Sequence, residues 1–256
     1  MLILLSPAKT LDFTPTERGL SATKPALHAD AKKLAAIAKE LTPLEIGKLM
    51  QVSDKLAETA HGYLQDWKAK WDAKGAKQAV LAFRGDVYQG LDADTLTDRQ
   101  LESAQESVRI LSGLYGVLKP LDLMQPYRLE MGRKLSTPRG AGLYRWWGDR
   151  VTDELNASLA EHRGEPIVVN LASNEYYSVV QPDRLEARVV TPVFKDKKNG
   201  AYKVISFFAK RARGAMTRHL IKSRSRGDKA IESFAEDGYR FRPDLSQADQ
   251  PVFVRE

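Results

Sequence analysis

The chain has 256 residues, 43% hydrophobic and 29% charged, with no cysteine. That is long enough to bury a sizeable core and too apolar for disorder, and it excludes disulfides, thiolate catalysis, iron–sulfur clusters and cysteine-ligated zinc. The formal net charge is +7, but twelve Lys/Arg against two Asp between Lys195 and Lys229 give that stretch +10 and leave −3 for the rest.

No apolar run approaches the roughly 18 residues needed to span a bilayer. Leu2 to Leu5 has no basic residue before it and no small-residue cleavage site soon after, so it is read as a strand rather than an export signal, and a cytoplasmic address is expected. Asp12 to Pro25 is polar and carries prolines and a glycine, an extended loop. Thr42, Pro43 and Glu45 form a capping box with proline at the first helical position. Thr97 and Gln100 repeat the signal. Behind them Leu101, Ala104, Val108 and Leu111 keep helical spacing and predict one helix that packs on the core. Trp147, Val151, Leu155 and Leu159 mark another. Val80 to Phe83 and Ile167 to Val169 are solid apolar runs, suited like Leu2 to Leu5 to strands covered on both faces. Lys198-Asn199-Gly200 between Ala187 to Phe194 and Ala201 to Phe207 signals a β-hairpin. Late strands are expected at Tyr239 to Phe241 and Pro251 to Val254. With no internal repeat or linker, the chain reads as one mixed α+β domain over residues 1–256: short buried strands, a β-hairpin in the C-terminal half and surrounding helices.

Each of the three buried runs leads into a polar loop: Ser6 to Thr10, Arg84 to Asp86, and Asn170 to Glu175. Ligands bind beyond the carboxyl ends of parallel strands. If the runs are parallel neighbours, Ser6, Lys9, Arg84, Asp86, Asn170, Ser173 and Glu175 converge on one cleft; singly, such residues also serve as turn and cap residues. No P-loop precedes Lys9, no G-x-S-x-G elbow is present, and His28, His61, His162 and His219 lack metal-ligand spacing. No metal, cofactor or catalytic residue is assigned.

Ser112 to Val117 carries Gly113 and Gly116, read as the glycine turn at the end of a helix. That fits either a backbone-phosphate grip in a helix-hairpin-helix or a helix C-cap followed by a packed loop. In the basic segment, a helix over Phe207 to Lys222 puts Phe208, Ala212, Ala215 and Met216 on one face, and Lys210, Arg211, Gly214 and Arg218 on the other. Gly214 in mid-helix costs about 1 kcal/mol relative to alanine; close approach of a ligand or another backbone would offset it. Lys222, Arg224, Arg226 and Lys229 extend the positive surface, an electrostatic footprint for a polyanion.

Several segments together resemble one family. They are Leu5-Ser6-Pro7-Ala8-Lys9-Thr10-Leu11, Ser53 to Ala57, Phe83-Arg84-Gly85-Asp86-Val87-Tyr88, Leu111 through Gly132, Asn170 to Ser173 with Glu175-Tyr176, and Lys210 with Ala212-Arg213-Gly214. They span nearly the whole chain in order and are similar to the YaaA family, named for peroxide-stress resistance. The resemblance implies a cytoplasmic prokaryotic protein with a positively charged cleft and a helix-hairpin-helix element. It implies binding to duplex or branched DNA in oxidative stress and repair, and it brings no established catalytic residues. It strengthens Gly113 to Gly116 as the helical hairpin, with Thr42 to Ala57 as the rival place. The expected phosphate contacts are Lys210, Arg211, Arg213 and Arg218, then Lys9, Arg84, Arg128 and Arg133, with turn amides at Gly113 and Gly116. About five neutralised phosphates predict a log–log salt slope near −4.5. The alternative is an enzyme acting on a nucleotide or nucleic acid at the three-loop cleft, with Lys9 or Arg84 on phosphate and Asp86 or Glu175 as base. An iron-handling role is prompted only by the peroxide connection.

Overall fold

The computed structural model describes residues 1–161, 165–223 and 227–256. His162, Arg224 and Arg226 lie outside them. The first apolar run forms strand β1 (Leu2–Leu5), buried throughout. Three helices follow after the polar loop: α1 (His28–Lys39), α2 (Pro43–Met50) and α3 (Asp54–Asp66). Both bonds of the Thr42–Glu45 capping box are made, and Gln51 closes α2 in the left-handed conformation. Residues 51–53 thus join α2 to α3 in a helical hairpin. A Cβ on Gly47 would touch Ala57 Cβ at 3.4 Å, so the two helices pack closely.

The run from Val80 to Phe83 is not a sheet strand. It forms a single helical turn, α4 (Ala79–Ala82), and only Phe83–Arg84 is extended, pairing antiparallel with Thr10–Leu11. Four apolar residues carry no period to separate strand from helix, and two of the four in the turn are alanines, which favour helix. Next come α5 (Asp86–Leu91) and α6 (Asp98–Ser107), the latter capped by the Thr97–Gln100 box. The helix stops at Ser107. Val108 and Leu111, expected on it, belong to strand β2 (Val108–Ser112), which turns back as β3 (Gly116–Leu118).

Gly113 therefore sits in the turn of a β-hairpin and Gly116 opens its second strand, so the two glycines join strands and not helices. The turn is buried: a Cβ at Gly113 would meet Leu129 O at 2.0 Å, and one at Gly116 would meet Trp147 and Leu27 at 2.9 Å. Gly116 has φ +71°, and Trp147 Nε1 donates to Gly113 O at 3.0 Å. These glycines serve packing and cannot present amides to a phosphate.

Trp147 ends a short helix, α7 (Leu143–Trp147), and Val151 to Leu159 belong to the next, α8 (Arg150–Ala160). Strand β4 (Ile167–Asn170), helix α9 (Asn174–Tyr177) and strand β5 (Arg188–Val190) complete the first sheet. Its order is β5-β4-β1-β2-β3, parallel except for β3. The second sheet begins with β6 (Val193–Lys198) and β7 (Ala201–Lys203). Their turn has φ +53° at Asn199 and +76° at Gly200, the two left-handed residues a primed two-residue turn requires. The first arm of the expected hairpin is divided, since Arg188–Val190 pairs in the other sheet.

Helix α10 (Ser206–Lys222) follows, then α11 (Asp228–Glu232) and strands β8 (Arg240–Phe241) and β9 (Val252–Arg255). The second sheet runs β7-β6-β9-β8. Phe194, Phe234, Tyr239 and Phe253 fill its core through ring contacts of 5.5–5.8 Å. One hydrophobic cluster includes residues of both sheets, in an α+β fold. Among the described residues no helix is long and apolar enough to cross a membrane.

Candidate functional site

Strands β1 and β4 are parallel neighbours with Leu2 opposite Val168, so the loops at their carboxyl ends emerge side by side. Leu171 N–H donates to Leu4 O at 3.0 Å. Ser6 joins the loops: its Oγ accepts Ser173 N–H at 2.9 Å, and its carbonyl accepts the Tyr88 hydroxyl at 3.0 Å. The Arg84 loop reaches the same place without being a sheet strand, held by the pairing of Thr10 with Arg84 and by Asp12 N–H on Ala82 O at 2.8 Å. At Gly85, φ is +125° and a Cβ would rest 3.5 Å from Ala8 Cβ.

The fourth wall is α10. A Cβ at Gly214 would fall 1.7 Å from Val87 O and 2.7 Å from Leu91 N; one at Gly90 would fall 2.0 Å from Arg211 O. The backbones of α5 and α10 meet there, which supplies the close approach expected of Gly214. That residue is buried between the helices rather than exposed on the polar face, and Phe208 is only half-buried while Ala209 is buried. The crossing brings Lys210 and Arg213 over the loops.

The result is a cleft of about 420 Å³ lined by Ser6, Lys9, Thr10, Arg84, Asp86, Tyr88, Glu130, Ser173, Glu175, Tyr176, Lys210 and Arg213 among others. Of the seven residues read as convergent, six line it. Asn170 does not; it is buried and its Oδ1 accepts Ala172 N–H at 3.1 Å as a turn residue. Arg84 is engaged by Asp12 and Asp94, each at 3.1 Å. Lys210 stands 3.8 Å from Asp86, and Glu175 accepts Gly132 N–H at 3.1 Å. Arg213 differs from the others. It is half-buried, desolvation alone lowers its pKa, and no carboxylate among the described residues pairs with it.

Sequence reasoning missed Glu130, the centre of a cationic cluster. It is 4% exposed. Lys9 Nζ lies 3.7 Å and Arg128 Nη2 3.5 Å from its Oε1, with Arg133 Nε 3.6 Å from its Oε2. The signal was present as one acid between two arginines, Arg128 and Arg133, but nothing in the spacing marked it as buried. Tyr88 and Tyr176 were also missed as cleft walls; burial raises the pKa of both hydroxyls.

Several cations of the basic segment among the described residues are taken up by acids or carbonyls. Arg211 Nε donates to Asp237 Oδ2 at 3.1 Å, Arg218 is turned to the carbonyls of Leu91 and Asp92, and Lys197 pairs with Glu256. Arg211 and Arg218 lie outside the cleft. Among the described residues no cluster of three or more His, Cys, Asp or Glu is placed to hold a metal ion.

Over the whole length the chain is similar to proteins named UPF0246 protein: 52% identical to that of Shewanella loihica over 100% of this chain and 99% of the relative, and 49% identical to that of Shewanella oneidensis over the same shares. Residues 1–245 match the family model described as peroxide stress protein YaaA. The Ser6–Thr10 loop, the Arg84–Tyr88 segment and α10 all fall within that match, and the chain belongs to the peroxide stress protein YaaA family.

Proposed function

We propose that this chain binds DNA in the cytoplasm, through the sugar–phosphate backbone and without reading sequence, as its part in peroxide-stress defence. The observation that carries the reading is Arg213: a half-buried, partly desolvated guanidinium with no acid partner among the described residues, in a cleft it shares with the exposed lysines Lys9 and Lys210. Guanidinium groups hold phosphate through paired donors and keep their charge when buried. The helical hairpin at Thr42 to Ala57 is the candidate for a second backbone contact in place of the Gly113 turn.

Arg211, Arg218, Arg84, Arg128 and Arg133 are engaged by acids or carbonyls. Arg213 and the two exposed lysines, Lys9 and Lys210, held at 3.7 and 3.8 Å from their acids, are the three cations counted against phosphates. The expected log–log salt slope is therefore about −2.7, shallower than five contacts would give. Fluorescence anisotropy with duplex, junction and single-stranded DNA at several salt concentrations measures it. Arg213→Ala should weaken binding to all sequences alike and reduce the slope by about 1. A slope near zero, or an Arg213→Ala variant that binds as the parent does, would refute the reading.

An enzyme acting on a nucleotide is the second reading, favoured by the buried Glu130 carboxylate at the cleft wall. Buried carboxylates beside cations recur at catalytic sites. Incubation with nucleotides and DNA, with and without Mg²⁺, tests it; turnover lost in Glu130→Gln or Asp86→Asn would favour it.

A further inference from the structure

Four buried polar atoms without a hydrogen-bond partner gather around Glu130, which lines the cleft while the two arginines do not: both carboxylate oxygens of Glu130, Nε of Arg128 and Nε of Arg133. The ion-pair distances of 3.5–3.7 Å around Glu130 balance charge without forming hydrogen bonds. Buried polar atoms in native proteins find partners, water included, and a cluster of exceptions marks a place where a polar group can bind. Beside them lies a side pocket of about 20 Å³, lined by Lys9, Tyr127, Arg128, Glu130 and Tyr176. That is room for one water-sized group. Pro7, Ala8, Lys9, Glu130 and Tyr176 line both this pocket and the main cleft, so the two adjoin.

The orphaned atoms define the chemistry of that group. Carboxylate oxygens only accept and guanidinium nitrogens only donate. An anion would face the Glu130 carboxylate, and an ammonium would leave both Arg Nε groups unpaired. A hydroxyl donates to one Glu130 oxygen and accepts from Arg128, the arginine that lines the side pocket. The main cleft holds Arg213 and Lys210 for a phosphate, and 420 Å³ lies within the roughly 300–1,000 Å³ of small-ligand sites.

We propose that the cleft takes one nucleotide unit, its phosphate against Arg213 and Lys210 and a free sugar hydroxyl in the side pocket at Glu130. Two sources share that chemistry: a free nucleoside monophosphate, and a DNA strand end with a free 3′-hydroxyl. The inference rests on the cleft as a phosphate site but not on backbone binding of DNA, since the interior of a duplex offers no free hydroxyl.

Calorimetric titration of the full chain with a ribonucleoside 5′-monophosphate, its 2′,3′-dideoxy analogue and inorganic phosphate tests the proposal. Linear duplex ending in 3′-hydroxyls, the same duplex ending in dideoxynucleotides and closed circular duplex form the second arm. The hydroxyl-bearing nucleotide, the hydroxyl-ended strand or both should bind at least about tenfold tighter than their dideoxy counterparts, because a site built for a hydroxyl rejects the analogue without it. Which of them does so identifies the source. Glu130→Gln, with its fold checked by circular dichroism, should reduce the ratio towards one while phosphate binding persists; Lys9→Met at an exposed position should lower it too. Arg213→Ala should lose inorganic phosphate. Equal binding of hydroxyl and dideoxy ligands in both arms would mean that the side pocket holds water, and the proposal fails. If circular duplex still binds with the predicted salt slope in that case, DNA binding stands and only this inference is lost. Hydroxyl preference without binding of circular duplex would uphold the nucleotide site and overturn backbone binding of DNA.

Discussion

Replacing Gly214 with alanine tests whether the meeting of α5 and α10 builds the cleft. The added Cβ would stand 1.7 Å from Val87 O and 2.7 Å from Leu91 N, against 3.4 Å or more in ordinary contact. Both obstacles are backbone atoms of a helix, so no side-chain rotation relieves them. In an isolated helix the change would stabilise by about 1 kcal/mol. Overpacking costs about 1–3 kcal/mol, and the backbone obstacle places this case at the upper end. The expected net loss is about 2 kcal/mol, a fall in Tm of about 4–8 °C for a chain of this size. Arg213 adjoins Gly214 and Lys210 precedes it by one turn, so parting the helices should also weaken the proposed DNA binding. Gly90→Ala meets the reciprocal obstacle, Arg211 O at 2.0 Å. The double variant should lose less than the sum of the singles, because either change already separates the helices. Thermal unfolding followed by circular dichroism reads all three. A Gly214→Ala variant at least as stable as the parent would refute the close crossing.

Thr97→Ala removes the cap that accepts Gln100 N–H at 3.2 Å and should cost about 1 kcal/mol, seen as a lower urea midpoint at unchanged m-value; an unshifted midpoint would show that the cap does not contribute. Asp12 supplies a pH test. A backbone hydrogen bond from Thr14, helped by Lys77 and Arg84, holds its carboxyl at about 2, below its ordinary 3.8. A depressed folded-state value means the stabilisation is complete above about pH 4 and lost as pH falls towards 2. Asp12→Asn should therefore be less stable than the parent at pH 7, with the gap closing between about pH 4 and 2. A gap that stays constant across that interval would refute the assignment.

What the sequence disclosed follows from the range of each interaction. Capping boxes at Thr42 and Thr97 and the Asn199-Gly200 turn depend on residues three apart or fewer, and all three form. Strands β1 and β4 were legible because both faces are buried and every position is apolar or nearly so. Strand β2 was hidden by Arg109, a charged residue only 1% exposed whose donors are satisfied by Ser158 Oγ and nearby carbonyls. With that strand unseen, Val108 and Leu111 extended the helical spacing of α6, and Gly113 to Gly116 looked like a helix end.

Charge shows the same division between local and distant. The positive excess of the Lys195 to Lys229 stretch was plain in the sequence, but its partners were not. Asp237 lies 26 residues from Arg211, while Asp92 lies 126 residues from Arg218 through a contact that only the α5–α10 crossing creates. Those acids offset cations by position rather than by number, which no count along the chain can anticipate. Arg213 remains because the side of α10 it occupies is turned to the cleft, where Asp86 is already paired with Lys210 and Glu130 with Lys9, Arg128 and Arg133. The candidate site is thus the place where one guanidinium, Arg213, is left without a carboxylate partner among the described residues, a local feature that the overall charge balance does not reveal. In the proposed reading, the net charge governs how fast a polyanion arrives, and Arg213 and its neighbours govern where its phosphate stays.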